Sequence, residues 1–340
     1  MIDLSKNTNP YYPSCSIKNH LKNTVFKINN YPHKNSDYIK KTLSKYFDIS
    51  EQNITVTNGT LGAFDSLIKN TKAKKIGFII PTFWGMQCIA SNNNCKLVYK
   101  KNKNNYSIDD IINLAKNTDL LYICNPNNPT LAYISKHKIL KIVEKNPSCH
   151  FVIDETLLSF SPFYHKNSLY PEVVNYFNLS VLISFSKIFN LGGLRIGMLC
   201  SNINIIKKIE ENNVIFCNNV FVESIIKDIS KDFFRINRTI FQKNFNSFYV
   251  TLNKKHVEKF VNMNVSFVNV KFKKYVNTQK MLKFLRKNNF IIADLSSMYL
   301  ELDNNWLRVS IGKLYEMKRL AILINEFLEV NYGEKNNNCK

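Results

Sequence analysis

The chain has 340 residues, 45% of them hydrophobic, and a formal net charge of +22 from 47 Lys and Arg against 25 Asp and Glu. That length and apolar content suffice for one large domain, or a large and a small one, and exclude a disordered or fibrous chain. The positive charge is spread over the whole length and is almost all lysine, so it reads as a solvated surface rather than a nucleic-acid footprint; its field favours an anionic small substrate.

No apolar run of about 18 residues occurs, and the N-terminus lacks a basic segment followed by an apolar one. A cytoplasmic protein without a membrane partner is therefore expected. The eight cysteines (Cys15, Cys88, Cys95, Cys124, Cys149, Cys200, Cys217, Cys339) are scattered, and the six histidines lie far apart. Free thiols and no metal site are expected.

In chain order, the first two dozen residues, interrupted by Pro10 and Pro13, show no periodicity and are expected to run irregularly across a cleft between two domains. From Asn58 to Ser201, short apolar runs alternate with amphipathic stretches. Leu61, Phe64, Leu67 and Ile68 have helical spacing, as do Ile111, Ile112 and Leu114 behind a capping Ser107. Strands are predicted at Lys75–Ile80, 96–99, Leu120–Cys124, His150–Asp154, 181–185 and 196–200. Several are apolar on both faces, as a parallel sheet covered by helices requires. From about residue 246 the pattern changes to a smaller α+β unit, with strands at 265–272 and 306–311 and helices at 278–288 and 317–330. The predicted organisation is a large domain over 29–245, a small one made of 1–28 and 246–340, and a polar end from 333 to 340 that frays.

In a parallel α/β sheet, ligands bind beyond the carboxyl ends of the strands, so polar residues that directly follow an apolar run carry the most information. After 181–185 comes Ser184-Phe-Ser186-Lys187, followed eight residues later by Arg195, with Gly192 and Gly193 between. Most lysines here are surface residues, but this one has hydroxyls beside it and a permanently charged planar fork nearby, a set suited to a phosphate. A lysine amine also condenses with aldehydes. Asn125-Pro-Asn-Asn128-Pro-Thr130 follows Leu120–Cys124, and Asp154 ends its own strand. Read alone, the first is a turn and the second is either a helix cap or a functional carboxylate. Asn58-Gly59-Thr60-Leu61 opens a helix, where backbone N–H groups attract anions. Phe83-Trp84 follows the next strand, and Trp306-Leu-Arg308 lies in a chain with few arginines.

Taken together and in this order, the motifs resemble those of pyridoxal-phosphate (PLP) dependent aminotransferases of the histidinol-phosphate type, from Asn7-Thr-Asn9-Pro10 to the final helix. The resemblance implies an aspartate-aminotransferase-like α/β fold, a mainly parallel sheet with helices on both faces plus a smaller α+β domain. It implies PLP held as a Schiff base on Lys187, with Asp154 on the pyridine nitrogen as partner of an electron sink. Asn128 is implied on the ring's phenolic oxygen, and Phe83, or its neighbour Trp84, stacked on the ring. Gly59, Thr60, Leu61, Ser184, Ser186 and Arg195 are implied around the phosphate. Tyr31, in Asn30-Tyr31-Pro32, matches a tyrosine that reaches the partner's cofactor in a homodimer. Arg308 matches the arginine that grips a substrate α-carboxylate, and Asn9 is implied beside the substrate.

Two positions depart from the family pattern. The tyrosine three residues after the pyridine-binding aspartate is Leu157, and the glycine after Asn-Pro-Thr is Leu131. The first departure, with the opening Ile2-Asp-Leu-Ser-Lys-Asn-Thr-Asn-Pro10, is also similar to threonine-phosphate decarboxylases. The expected activity is ping-pong transamination of a small, phosphorylated amino compound, with decarboxylation of a phospho-amino acid (threonine-phosphate or serine-phosphate type) as the alternative. A non-enzymatic relative would be expected to lack Lys187 or Asp154, and both are present.

Overall fold

The computed structural model describes residues 1–101, 105–212 and 217–333. The strands in chain order are β1 (Ile2–Asp3), β2 (Ile54–Thr57), β3 (Lys75–Ile80), β4 (Lys96–Lys101), β5 (Leu120–Cys124), β6 (His150–Asp154), β7 (Leu179–Ser184) and β8 (Gly197–Ser201), then β9 (Val257–Val261), β10 (Phe267–Phe272), β11 (Phe290–Ile291), β12 (Ala293–Asp294) and β13 (Trp306–Ser310). Two compact units divide them.

The larger unit, Tyr11–Ser159 with Phe163–Ile236, holds a seven-stranded sheet in the order β2-β8-β7-β6-β5-β3-β4. Its neighbours are parallel except β8, which runs antiparallel to both β2 and β7. Hence β2, β3, β5, β6 and β7 all end at one edge. On one face Tyr122, Val152, Leu182 and Leu199 pack against Phe64, Leu67, Met86 and Ile206, which come from three different helices. The alternate residues Leu121, Ile123, Phe151, Ile153, Val181 and Ile183 are equally buried, so both faces are covered. This is the predicted α/β architecture, and the continuous apolar runs are its cause.

The smaller unit, Met1–Pro10, Phe160–Pro162 and Asn237 onward, holds an antiparallel sheet in the order β12-β13-β10-β9. In it β1 pairs with β11, and the helix Thr239–Thr251 lies along Leu314–Tyr332.

Several expectations are corrected. Residues 15–24 are helical rather than irregular: Ser14 accepts the amide of Ile17 and caps Cys15–Thr24 directly after Pro13. With Ile17 the only apolar side chain this helix buries fully, its periodicity leaves almost no trace in the sequence. Segment 11–28 therefore falls in the larger unit, and 237–245 in the smaller one, where Phe241 packs edge-to-face on Phe160 at 5.2 Å. The short strands β2 and β9 were not predicted. The polar tail 334–340 lies outside the described residues. The seven described cysteines are free thiols, and no helix among the described residues is long and apolar enough to cross a membrane.

Candidate active site

The shared strand edge of the larger unit collects most of the residues picked out by sequence. At the end of β2, Thr57 donates to the Gly59 carbonyl (3.0 Å), and Gly59 takes φ +72°, a left-handed backbone that glycine adopts without a Cβ clash. The helix Gly59–Thr71 starts there, and the Asn58 side chain makes no capping bond to it, so its first amides are left to other partners. Arg195 fills the adjacent space. A methyl group on Gly59 would lie 2.6 Å from Arg195 Nη2, and one on Gly197 would lie 2.8 Å from the Gly59 carbonyl carbon. The exposed guanidinium, steadied by a bond from Nη1 to the Gly192 carbonyl (3.2 Å), is thus aimed at the helix start. A helix N-terminus with an arginine fork across it is an anion cradle.

Ser184 ends β7 opposite Gly197, and a single helical turn, Phe185–Ile188, carries Lys187. Phe185 N–H and the Ser186 hydroxyl both donate to the Ile196 carbonyl (3.3 and 3.4 Å), which ties the lysine turn to the arginine loop. Lys187 is half-buried. On the neighbouring strand, Asp154 is 3% exposed. Its Oδ1 accepts the Thr156 amide (2.9 Å) and its Oδ2 accepts the Tyr122 hydroxyl (2.8 Å). Burial pushes this carboxyl above its ordinary range, and those donors oppose the rise. A buried carboxylate at the sheet edge suits a protonated heterocycle as its partner.

The next loop is locked by asparagines. Asn125 exchanges two side-chain bonds with the Ile134 backbone (2.9 Å each), while Asn127 donates to the Pro81 carbonyl and accepts from Thr82 (2.8 Å each). Asn128 sits inside this loop, and the Asn127 bonds fix it to the segment that ends in Phe83. The Phe83 ring lies against Gly85, where a methyl would be 2.8 Å away, and packs on the core with Leu61; Trp84 is 55% exposed. Leu157 is buried.

Tyr31 is 84% exposed, and its neighbour His33 is held by Glu223 through backbone N (2.7 Å) and Nδ1 (3.1 Å). Arg308 and Asn9 belong to the smaller unit and are buried there. Arg308 Nη2 donates to the Ser5 carbonyl (2.9 Å), and its guanidinium lies 5.4 Å from the Phe267 ring centre.

Two features were missed from sequence. Tyr122 looked like one more apolar strand residue, and only the β5–β6 register puts its hydroxyl on Asp154. Glu155, buried beside it, accepts Ser168 Oγ and the Leu169 amide, and burial pushes its carboxyl up to about 7.

Residues 1–324 match the family model of aminotransferase class I and II. A histidinol-phosphate aminotransferase of Buchnera aphidicola subsp. Melaphis rhois is 31% identical over 95% of this chain and 90% of its own length. Among solved structures, the histidinol-phosphate aminotransferase of Clostridium acetobutylicum superposes with a TM-score of 0.84 at 20% identity, covering 96% of this chain and 99% of that one. The L-threonine-O-3-phosphate decarboxylase of Porphyromonas gingivalis gives 0.83 at 22% identity, covering 97% and 100%.

Proposed function

Because this chain belongs to the class I and II aminotransferase family, whose cofactor is PLP, we propose that it transaminates a small, phosphorylated amino compound with Lys187 as the covalent anchor of the cofactor. The observation that carries this reading is the cradle at Gly59: an arginine fork 2.6 Å from where a methyl would stand, at an uncapped helix start, on the strand edge shared with Lys187 and Asp154.

When bound, PLP supplies an aldehyde that captures amines and a protonated ring that accepts the electron pair released at the substrate Cα. The chain's own residues do the rest. Gly59, Thr60 and Leu61 offer backbone N–H groups and Arg195 its guanidinium to the phosphate, with Ser184 and Ser186 beside them. Asp154 would hold the protonated pyridine, Asn128 would donate to the phenolic oxygen, and Phe83 would pack on the ring. The Lys187 amine would anchor the cofactor and would serve as the base and acid that moves the substrate Cα proton. Arg308 binds the substrate carboxylate with Asn9 beside it, and the lysine-rich surface favours an anionic substrate. The working form is a homodimer in which Tyr31, 84% exposed on the isolated chain, reaches the partner's site.

Decarboxylation of a phospho-amino acid is the second reading, favoured by Leu157 in place of the tyrosine and by the likeness to the P. gingivalis enzyme. An absorbance spectrum of the purified protein separates the two. A cofactor band lost in Lys187→Ala establishes the anchor. Conversion to the amine form of the cofactor with histidinol phosphate or phosphoserine means transamination, whereas carbon dioxide release from phosphothreonine without that conversion means decarboxylation. No band after PLP is added would sink both.

A further inference from the structure

Tyr122 is a phenol in an otherwise apolar place. It is 1% exposed in the middle of β5, and its ring packs against Phe64 (5.5 Å between centres) and Phe78 (5.7 Å). A phenylalanine would fill that volume equally well, so apolar packing does not explain the hydroxyl. Burying a hydroxyl is costly unless it is bonded, and this one donates to Asp154 Oδ2 at 2.8 Å. The sheet register explains the reach. Cys124 stands opposite Asp154, and Tyr122 two residues earlier projects from the same face, so the phenol runs diagonally toward the strand end. Oδ1 accepts the Thr156 amide, so Tyr122 and Thr156 hold the two carboxylate oxygens from different strands and loops.

Resting on the reading of Asp154 as the cofactor's pyridine partner, we propose that Tyr122 is a positioning residue that fixes the Asp154 carboxylate in place and keeps it ionised when the site is empty. Its hydroxyl stabilises the charged form selectively, because a neutral carboxyl accepts a weaker bond than a carboxylate does. The titratable groups around Asp154 include Lys187, on the turn that follows the neighbouring strand. The charge of Asp154 is also felt by Tyr106, which donates to the Cys124 carbonyl (2.5 Å), by Tyr122 and Cys124, and by Glu155. Tyr122 bonds the carboxylate itself through its side chain.

The test is a titration of the apoprotein with PLP across pH, comparing wild type, Tyr122→Phe, Asp154→Asn and the double variant. Losing one charge-assisted bond is expected to weaken PLP about tenfold and to move the acid limb of binding up by about one pH unit. In the Asp154→Asn background, Tyr122→Phe is expected to change binding by less than about twofold, since the partner it acts through is gone. Phe64→Leu disturbs the same cluster without touching the hydroxyl, so it is expected to lower stability and leave the limb in place. Should Tyr122→Phe not accumulate, 3-fluorotyrosine at position 122 keeps the fold and sharpens the donor, moving the limb down instead. If wild type binds PLP in a Lys187-dependent way and Tyr122→Phe titrates like it, or Phe64→Leu shifts the limb equally, the proposal is overturned while the reading of the site stands. If wild type shows no Lys187-dependent binding, both fall.

Discussion

Gly59 and Leu131 stand at the same edge of the main sheet with nearly the same left-handed backbone, φ +72° and +62°, yet one is glycine and the other a large apolar residue. At Gly59 a side chain would drive into the Arg195 guanidinium and, through Gly197, the two backbones already touch. At Leu131 the side chain is 2% exposed, and hydrogen bonds hold the loop in shape: Leu131 N–H on the Asn127 carbonyl and Asn127 N–H on the Ala132 carbonyl, both 2.8 Å. The same backbone conformation thus forbids a side chain where the Arg195 guanidinium closes on the helix start and tolerates one where a network and burial offset the strain. Lacking the family's glycine at 131 leaves the loop intact, whereas losing the one at 59 would not spare the cradle.

The largest effect tests the forbidding side. Gly59→Ala places a methyl 2.6 Å from Nη2 and must displace Arg195, so PLP binding is expected to weaken roughly a hundredfold, the loss of about two charge-assisted bonds. Equilibrium titration of the apoprotein measures this. Binding within threefold of wild type would mean that the fork does not serve the phosphate.

The two ends also differ in how they carry charge: Arg195 is exposed, while Asp154 and Glu155 are buried. Glu155 is raised from 4.5 to about 7, so its neutral form is the one the fold prefers. A folded-state value above the unfolded one means stability that is full below about 4.5 and lost as pH rises through 7. Relative to Glu155→Gln, which does not titrate, wild type is expected to lose about 3 kcal/mol over that window, read from urea unfolding at each pH. A difference that stays flat with pH would contradict it.

Asn127→Ala probes what keeps the tolerant loop in shape. The side chain bonds Pro81, Thr82 and Thr130, each at 2.8 Å, and leaves them unsatisfied when removed. Unfolding free energy is expected to fall by about 2 kcal/mol. A loss of stability no larger than that of Asn117→Ala, an exposed residue with a single side-chain bond to the Asn113 carbonyl, would show that the network is dispensable.

How far the sequence revealed this site depended on the kind of signal each residue left. Lys187, Asp154 and Asn128 were legible because each lies at or just after the end of an apolar strand, where ligands bind in a parallel sheet, and Gly59 because it opens a helix. The sheet was legible from its two-faced apolar runs. What escaped were properties of register and context: β8 running against its neighbours, Tyr122 reaching Asp154 across two strands, and the helix Cys15–Thr24, whose buried stripe is too thin to show. Leu131 was visible only as a mismatch. Its left-handed φ belongs to the fold, and no local pattern in the sequence dictates it.

The smallest effect is also the sharpest test of the opening contrast. In most buried positions Leu→Gly is worse than Leu→Ala by about 1 kcal/mol, because glycine adds backbone entropy to the unfolded chain. Both substitutions at Leu131 lose the same packing, about 2–4 kcal/mol for a buried leucine. Alanine keeps a Cβ in the left-handed region and retains the strain of about 1 kcal/mol, while glycine releases it. The usual order should therefore reverse or close, with Leu131→Gly at least as stable as Leu131→Ala in thermal unfolding. If alanine is instead the more stable by about 1 kcal/mol, the left-handed backbone at 131 carries no strain for the network to offset.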